Sequence, residues 1–221
     1  MSEPVDTTKL DPATMAKHLG NPEGEIGKAV TANLNKTNAG AYSAAFQQLG
    51  AVSGDRIIEI GFGNGREIPR VLSLADGLTY FGLDISETMI ADATAYNSER
   101  IQRGQVTLAC GTSAKIPADA NAFTKALALN TIYFWADPIT DLKELRRVLQ
   151  PGGRLVLGAN APWSAVGPVF QHGFRHYEKP AIEDLLTRAG FTKIAIDTIN
   201  ETVVRATGQS WNRDFFIIAA E

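Results

Sequence analysis

Three closely spaced glycines follow an apolar run and precede a helix-like stretch, in the segment Glu59-Ile60-Gly61-Phe62-Gly63-Asn64-Gly65. Because glycine has no Cβ atom, backbone amides in such a turn can approach a ligand closely. The spacing differs from the dinucleotide fingerprint G-x-G-x-x-G, and no Gly-Lys-Ser/Thr follows as it would in a phosphate loop. The segment therefore predicts a binding loop for a ligand without a pyrophosphate, and a tight turn with no ligand is the simpler alternative.

An acidic residue, Asp84, ends the next apolar run along the chain. In doubly wound sheets, a carboxylate at that strand end can accept hydrogen bonds from both hydroxyls of a ribose. A carboxylate there can instead cap the following helix, but Ser86 is placed to serve as that N-cap. The glycine loop and Asp84 together indicate an adenosine-type ligand, and on these two features alone NAD stays open.

Two histidines, His172 and His176, have the spacing i and i+4 in an aromatic-rich segment. A helix in this segment would place both imidazoles on one face, where either is suited to act as a general base near neutral pH. Partly exposed residues without a catalytic role are the alternative. As metal ligands they lack a third partner, since Cys110 has the character of a small core residue. No Gly-x-Ser-x-Gly elbow of a hydrolase occurs either.

Aromatic side chains cluster in two parts of the chain that lie outside the glycine loop. Tyr42 and Phe46 are one helical turn apart in a stretch with little charge, and residues 160–177 combine Trp163 and Tyr177 with further aromatic rings. Such rings predict the walls of a pocket for a second small molecule. The alternative is that they cap the sheet.

Short apolar runs alternate with helical patterns from residue 56 onward. Five runs have the continuous apolar character of buried parallel strands, namely 56–60, 78–84, 105–110, 123–130 and 153–159. Helical patterns lie between them at 67–73, 86–100 and 138–149. This alternation predicts βαβ units, and hence a doubly wound α/β domain with a mostly parallel sheet.

The C-terminal part predicts a helix after Pro180 that ends at Gly190. Two further strand candidates follow, at 192–198 and 213–220. No crossover helix fits between them, so they are expected to form an antiparallel pair at one edge of the sheet.

The first part of the chain, residues 1–50, is predicted to be helical from 26 to 49 with an interruption near 38–40. We expect this part to form a movable lid over the ligand cleft, because it precedes the first strand and is free to cover it. Residues 51–221 are expected to form one domain, with a substrate segment at about 160–180.

Composition places the chain among ordinary globular proteins. It has 221 residues, of which 44% are hydrophobic and 20% charged, which suits one domain with a sizeable core. A net charge of −3 argues against a nucleic-acid partner. The single cysteine suits a reducing compartment, and neither a signal peptide nor a membrane span is recognisable. We expect a soluble, cytoplasmic protein without a membrane partner, and the oligomeric state stays open.

Taken together, the motifs resemble the first two motifs of the class I S-adenosylmethionine-dependent methyltransferases. The first is Glu59-x-Gly61-x-Gly63-x-Gly65, and the second runs from Gly82-Leu83-Asp84-Ile85-Ser86 to Met89 and Ala93. Further similarities within residues 50–160 are the segments 111–117, 130–135 and 145–155. The resemblance implies a seven-stranded sheet with an antiparallel last strand, S-adenosyl-L-methionine as cofactor, and methyl transfer to a small-molecule acceptor.

The resemblance also implies roles for individual residues. The glycines would face the methionine part of the cofactor, Asp84 its ribose, and Asn130 would lie beside the sulfonium. Met89, Thr112 and Ser113 would lie against the adenine. The remaining cofactor contacts implied by the two motifs are Glu59, Phe62 and Ile85. Many relatives have Asp where this chain has Thr112 and Thr124, which leaves the adenine contacts open.

Methyl transfer from a sulfonium is an in-line displacement that mainly requires alignment of donor and acceptor. A general base is needed only when the acceptor starts protonated, and His172 and His176 are the candidates. O- or N-methylation is the expected reaction, and the alternatives are a non-catalytic cofactor-binding module and an NAD-dependent oxidoreductase. The expected acceptor-binding residues are Tyr42, Tyr133, Trp135, Trp163 and Tyr177.

Overall fold

The computed structural model describes residues 5–204, 208 and 210–221. Its centre is a seven-stranded sheet in the order β3-β2-β1-β4-β5-β7-β6. The strands are β1 (Arg56–Ile60), β2 (Thr79–Asp84), β3 (Val106–Cys110), β4 (Phe123–Leu129), β5 (Leu149–Asn160), β6 (Ala195–Val204) and β7 (Ser210–Ala220). The chain leaves β1 for β2 and β3 on one side and then crosses to β4 and β5 on the other, as in a doubly wound sheet.

Strand directions confirm the predicted sheet. Strands β1 to β5 pair in parallel, and β7 is antiparallel to both β5 and β6. The apolar runs of the central strands β1 and β4 are largely buried, as parallel strands covered by helices require, and Ile57 and Ile58 are fully buried. The edge strand β3 is partly exposed. The terminal hairpin is longer than the sequence predicts, because β6 continues to Val204 and β7 begins at Ser210.

Eight α-helices surround the sheet in the described part of the chain. They are α1 (Pro12–Gly20), α2 (Gly24–Thr37), α3 (Ala39–Leu49), α4 (Ile68–Leu72), α5 (Glu87–Tyr96), α6 (Ser98–Gln102), α7 (Pro138–Val148) and α8 (Lys179–Arg188). Helix α1 was not predicted, although Asp11 caps it through the amides of Ala13 and Thr14 and Pro12 suits its first turn. With only nine residues, α1 is too short for its periodicity to reveal it in the sequence.

The predicted helix over 86–100 is wrong in one respect, because the structure breaks it at Asn97. This side chain is fully buried and its Nδ2 donates to the carbonyls of Gly65 and Ala93. Asn97 thereby ties the end of α5 to the glycine loop, and the chain restarts as α6. The break therefore supports the loop that precedes α4.

Packing divides the N-terminal helices into two groups. Ala41, Ala45 and Leu49 of α3 are fully buried in the core on one face of the sheet. Helices α1 and α2 contribute side chains to the cavities described below, and Tyr42 of α3 lines one of them as well. The movable lid over the cleft stays a prediction. In the described part of the chain, no helix has the length and apolar character to cross a membrane.

Candidate functional site

A cavity of about 490 Å³ lies where β1, β2 and β4 end. Its wall includes the glycine loop, Asp84 and Ile85 after β2, Thr112 and Ser113 after β3, and Asn130 after β4. Ligands in doubly wound sheets gather at the carboxyl ends of the strands, and this cavity falls at that edge. We call it the first cavity.

Asp84 has the surroundings of a ligand-binding carboxylate held in place by the backbone. It is buried, and its oxygens accept hydrogen bonds of 2.9 Å from the amides of Gly63 and Ser86. Burial raises the pKa of Asp84, and the amide hydrogen bonds partly offset that rise. Ser86 is the N-cap of α5 and accepts from the amide of Met89. Asp84 is therefore not required as the cap and its remaining lone pairs are available to a ligand.

The glycines of the loop are required by the fold as well as by the cavity. Gly61, Gly63 and Gly65 all have positive φ, a conformation that side chains disfavour. A Cβ on Gly61 would lie 2.3 Å from Cγ2 of Thr131, and one on Gly65 would lie 2.7 Å from Cβ of Ala93. The predicted reason, close approach of a ligand, is thus incomplete, since the protein itself occupies the space beside two of these positions.

A buried carboxylate lies at the base of the loop. Glu59 is 1% exposed and accepts hydrogen bonds from the hydroxyls of Tyr80 at 2.7 Å and Tyr42 at 3.1 Å. Burial raises the pKa of Glu59 to about 7, although the two tyrosine hydroxyls act in the opposite direction. Glu59 joins β1 to α3 and β2, and it is not among the residues that line the first cavity.

A second cavity, of about 440 Å³, adjoins the first. Leu19, Leu34, Asn38, Asn130 and Phe134 line both cavities. The further walls of the second cavity come from the segment before α1, from α1 and α2, from residues 166–170 and from the start of β7. Two adjoining compartments of this size suit two small ligands bound side by side.

Asn130 lies at the junction of the two cavities in a strained conformation. Its φ is 58°, in the left-handed region that Asn adopts more readily than most residues. Its Oδ1 accepts a 3.2 Å hydrogen bond from the hydroxyl of Tyr133, which in turn accepts one from the amide of Asn160. These hydrogen bonds fix the Asn130 amide group at the junction. Such strain is typical of functional positions.

The predicted cofactor residues fall into two groups. Met89 is fully buried, and neither it nor Gly65 and Glu59 lines the first cavity. Ser113 is buried as well, and its hydroxyl bonds to Asp141. The predicted residues that line the first cavity are Gly61, Phe62, Gly63, Asp84, Ile85, Thr112, Ser113 and Asn130.

The predicted acceptor residues are dispersed. Tyr133 lines the second cavity, and Tyr42 and Trp135 line the first. Trp163 lines neither, is 53% exposed, and donates from Nε1 to Asp214. Tyr177 also lines neither cavity and packs against the core. Only part of the aromatic segment therefore reaches the second cavity, chiefly through Phe170 and Phe174.

Residues 172–178, which include His172 and His176, form no helix in the structure, so the two imidazoles do not share a helical face. His172 is exposed. The ring of His176 stacks on Phe174 at 5.9 Å and also contacts Tyr133 and Phe170, and both its nitrogens are buried without a hydrogen-bond partner in the described structure. Neither histidine is among the residues that line the two cavities.

Several residues that line the cavities were not predicted, and four of them show how distant segments contribute. Met15 on α1 lines the second cavity, and Asp141 on α7 lines the first. Asn38, between α2 and α3, lines both, and Arg213 on β7 donates to its Oδ1. The paired occurrence of Asp11 and Pro12 was the available signal for α1, whereas nothing local in sequence indicates that Arg213 meets Asn38.

Comparisons with known proteins agree with this geometry. A family model described as a methyltransferase domain matches residues 58–157. An uncharacterized methyltransferase, YdaC of Bacillus subtilis, is 31% identical over 110 residues, which are 50% of this chain and 59% of that protein. The O-methyltransferase rstn1 of Aspergillus nomiae is 27% identical over 164 residues, 71% of this chain and 72% of that protein.

Solved structures share the fold at low sequence identity. The methyltransferase bound to the Haloferax volcanii activator Trm112 has a TM-score of 0.70 at 17% identity, covering 86% of this chain and 91% of that one. Phosphoethanolamine N-methyltransferase 2 of Haemonchus contortus, bound to S-adenosyl-L-methionine, has a TM-score of 0.67 at 16% identity, covering 82% and 52%. The chain covers only part of three curated relatives that it matches, namely 59% to 62% of the length of each.

Proposed function

We propose that this chain is a class I S-adenosylmethionine-dependent methyltransferase, as the family model and the curated relatives support, and that it transfers the methyl group of S-adenosyl-L-methionine to a small-molecule acceptor. The first cavity would hold the cofactor and the second the acceptor. The observation that carries the proposal is the junction at Asn130, which lines both cavities and so places two ligands within reach of each other.

The residues of the first cavity fit the groups of the cofactor. Asp84 is buried, accepts hydrogen bonds from two backbone amides, and retains free lone pairs for ribose hydroxyls. Thr131 lines the cavity with a buried hydroxyl that has no partner among the described residues, which a polar ligand atom would satisfy. Gly61 and Gly63 would face the methionine part. Ile85, Thr112 and Ser113 would lie along the adenine, where Asp141 adds a buried carboxylate.

Bound S-adenosyl-L-methionine would supply an activated methyl group on a positively charged sulfur. The chain's contribution is to align the acceptor with that methyl group and to exclude water, and alignment alone accounts for about 7–11 kcal/mol in favourable cases. Asn130 would orient the reacting groups at the junction, held by Tyr133. Helices α1 and α2 would cover both ligands, consistent with the expected lid.

The names of curated relatives support an oxygen acceptor. Three fungal relatives are O-methyltransferases, and another is the 27-O-demethylrifamycin SV methyltransferase of Amycolatopsis mediterranei. One relative, a tRNA U34 carboxymethyltransferase of Methylococcus capsulatus, acts on RNA by its name. We favour a small molecule for two reasons. The second cavity has the size of a site for small ligands, and the chain's negative net charge does not suit binding to RNA.

The test is calorimetry with S-adenosyl-L-methionine and with NAD, followed by incubation with the radiolabelled methyl donor and a panel of small acceptors. Binding of the methyl donor with transfer of label to an acceptor supports the proposal. Binding of the methyl donor without transfer to any acceptor supports a non-catalytic module instead. Preferential binding of NAD contradicts both.

A further inference from the structure

We propose that the acceptor is an uncharged, largely apolar molecule that is methylated on a weakly acidic hydroxyl of the phenol type. This inference rests on the proposed function and specifies its substrate class. It is drawn from three properties of the second cavity: the charges at its wall, the distribution of its polar atoms, and the titratable groups that face it.

The charged side chains of the second cavity argue against a charged acceptor. Arg213 is the only Asp, Glu, Lys, Arg or His among the described residues of the wall. Its guanidinium is already neutralised by Glu201, to whose Oε1 it donates from Nε and Nη2 at 3.0 and 2.5 Å. It also donates to Asn38 and to the carbonyl of Thr37. An ammonium acceptor would meet no carboxylate here, and burying an unpaired charge is costly.

Polar side chains of the second cavity lie at the junction and also at Thr7, Thr8, Asn33 and Thr37, whose side chains already form hydrogen bonds within the protein. Asn38 and Asn130 line the junction, and Asn160 and Tyr133 are hydrogen-bonded to each other beside it. Oδ1 of Asn160 is buried without a hydrogen-bond partner in the described structure, and an acceptor hydroxyl would supply the missing donor. The rest of the wall is mainly apolar, including Met15, Leu19, Val30, Leu34, Phe134 and Phe170. This distribution suits an apolar body with a polar group at one end.

The titratable groups around the junction offer no general base. Among the described residues of the second cavity, Tyr133 is the only titratable group besides Arg213, and burial raises the pKa of its phenol group. The titratable groups of the first cavity are Asp84, Asp137, Asp141 and Tyr42, on the cofactor's side of the junction. His176 lies behind the rings of Phe170 and Phe174, outside the wall. The acceptor should therefore be one that can lose its proton to water without a protein base. A phenol satisfies this condition, because its pKa is near that of tyrosine, about 10.

The reaction is balanced without a protein base. The phenol gives its proton to water, and its oxygen uses a lone pair to form the new O–CH3 bond. The S–CH3 bond breaks, and its electron pair returns to sulfur, which becomes the uncharged thioether of S-adenosylhomocysteine. One proton is released for each methyl group transferred.

The test compares three acceptors of closely similar shape: a naphthol, a naphthylmethanol and a naphthylmethylammonium. Binding to the protein loaded with S-adenosylhomocysteine is measured by calorimetry, and transfer is measured with the labelled methyl donor. We expect the two uncharged molecules to bind at least 10-fold more tightly than the cation, and only the naphthol to be methylated at a measurable rate. Tighter binding or faster methylation of the ammonium compound, or equal transfer to the alcohol, would overturn the inference.

The pH dependence supplies a second readout. Across naphthols whose substituents change the hydroxyl pKa, the rising limb of kcat/KM should move with the pKa of each naphthol. The same limb should persist in His172→Gln and His176→Gln. A limb at one fixed pH for every naphthol, or a loss of about 10² or more in kcat in either variant, would identify a protein base and overturn the inference.

A variant in the wall of the second cavity tests where the acceptor binds. Met15 lines the second cavity but not the first, so Met15→Trp should weaken naphthol binding at least 10-fold and leave cofactor affinity unchanged. Val52→Trp, at an exposed position outside both cavities, is the matched control. Unchanged naphthol affinity in Met15→Trp would contradict this location. Absence of cofactor binding in the unmodified protein would instead refute the proposed function.

Discussion

Glu59→Gln tests the buried carboxylate beneath the glycine loop. Glutamine has nearly the same shape, so its Oε1 can accept from the Tyr80 hydroxyl while its Nε2 donates to the hydroxyl oxygen of Tyr42. The variant therefore keeps both hydrogen bonds and removes only the titration. Any difference in pH dependence between the two proteins then reports the ionisation of Glu59.

The expected magnitude follows from the pKa of Glu59, which burial raises from 4.5 to about 7. The folded protein then binds this proton more tightly than the unfolded chain, so its contribution to the free energy of unfolding is full below pH 4.5 and falls as pH rises to 7. A shift of this size corresponds to about 3 kcal/mol in total, and about 2 kcal/mol of that falls between pH 5.5 and 8. Glu59→Gln lacks this loss.

Urea unfolding of both proteins at pH 5.5 and pH 8 measures the effect. We expect the free energy of unfolding of Glu59→Gln, relative to the unmodified protein, to rise by about 2 kcal/mol between the two pH values. Glu183→Gln, which removes an exposed glutamate on α8, should show no such change. Parallel pH dependence of Glu59→Gln and the unmodified protein would refute the assignment of a buried, titrating carboxylate.

Three further predictions concern the cofactor and the junction. Asp84→Asn should weaken S-adenosyl-L-methionine binding by about 1.5–3 kcal/mol in calorimetry, the range of hydrogen bonds to a charged group, and unchanged affinity in a folded variant would refute the ribose contact. Tyr133→Phe removes one neutral hydrogen bond to Asn130, so it should lower kcat by about 2- to 10-fold and leave cofactor affinity unchanged. A loss of cofactor affinity as large as the loss in kcat would contradict the junction role. Amide exchange in α1 and α2 should slow when the cofactor binds, and identical exchange with and without it would argue against a lid.

Sequence periodicity predicted the sheet because each strand from β1 to β5 is a short, continuous apolar run between helical patterns. The terminal hairpin was also predicted, since no helix fits between its strands. Its length was underestimated because β6 alternates half-buried and exposed residues and carries little apolar signal. Helix α1 escaped because it has only nine residues, and its position beside the cavities depends on contacts with distant residues.

The candidate site was predictable where one local segment forms it. The glycine loop, Asp84 and the N-cap Ser86 all lie within two short motifs, and the structure brings Gly61, Gly63 and Asp84 to one cavity. The i and i+4 spacing of the two histidines has meaning only in a helix, and residues 172–178 form none, so this spacing could not show that they lie outside the walls of both cavities. Trp163 likewise satisfies its indole with Asp214, a partner that the sequence does not indicate.

The junction explains why the proposed acceptor site was harder to predict from the sequence than the proposed cofactor site. Asn130 follows β4, Asn160 ends β5, Asn38 joins α2 to α3, and Arg213 on β7 secures that connection through Asn38. Asn38, Asn160 and Arg213 are unremarkable polar residues in their own segments, and only the strand order β1-β4-β5-β7 brings these segments to Asn130. Asn130 itself was predicted from the family resemblance, and its left-handed backbone turns the chain at this point. The uncharged polar junction beside a mainly apolar wall is thus a property of the assembled sheet, and under our proposal it would select the acceptor.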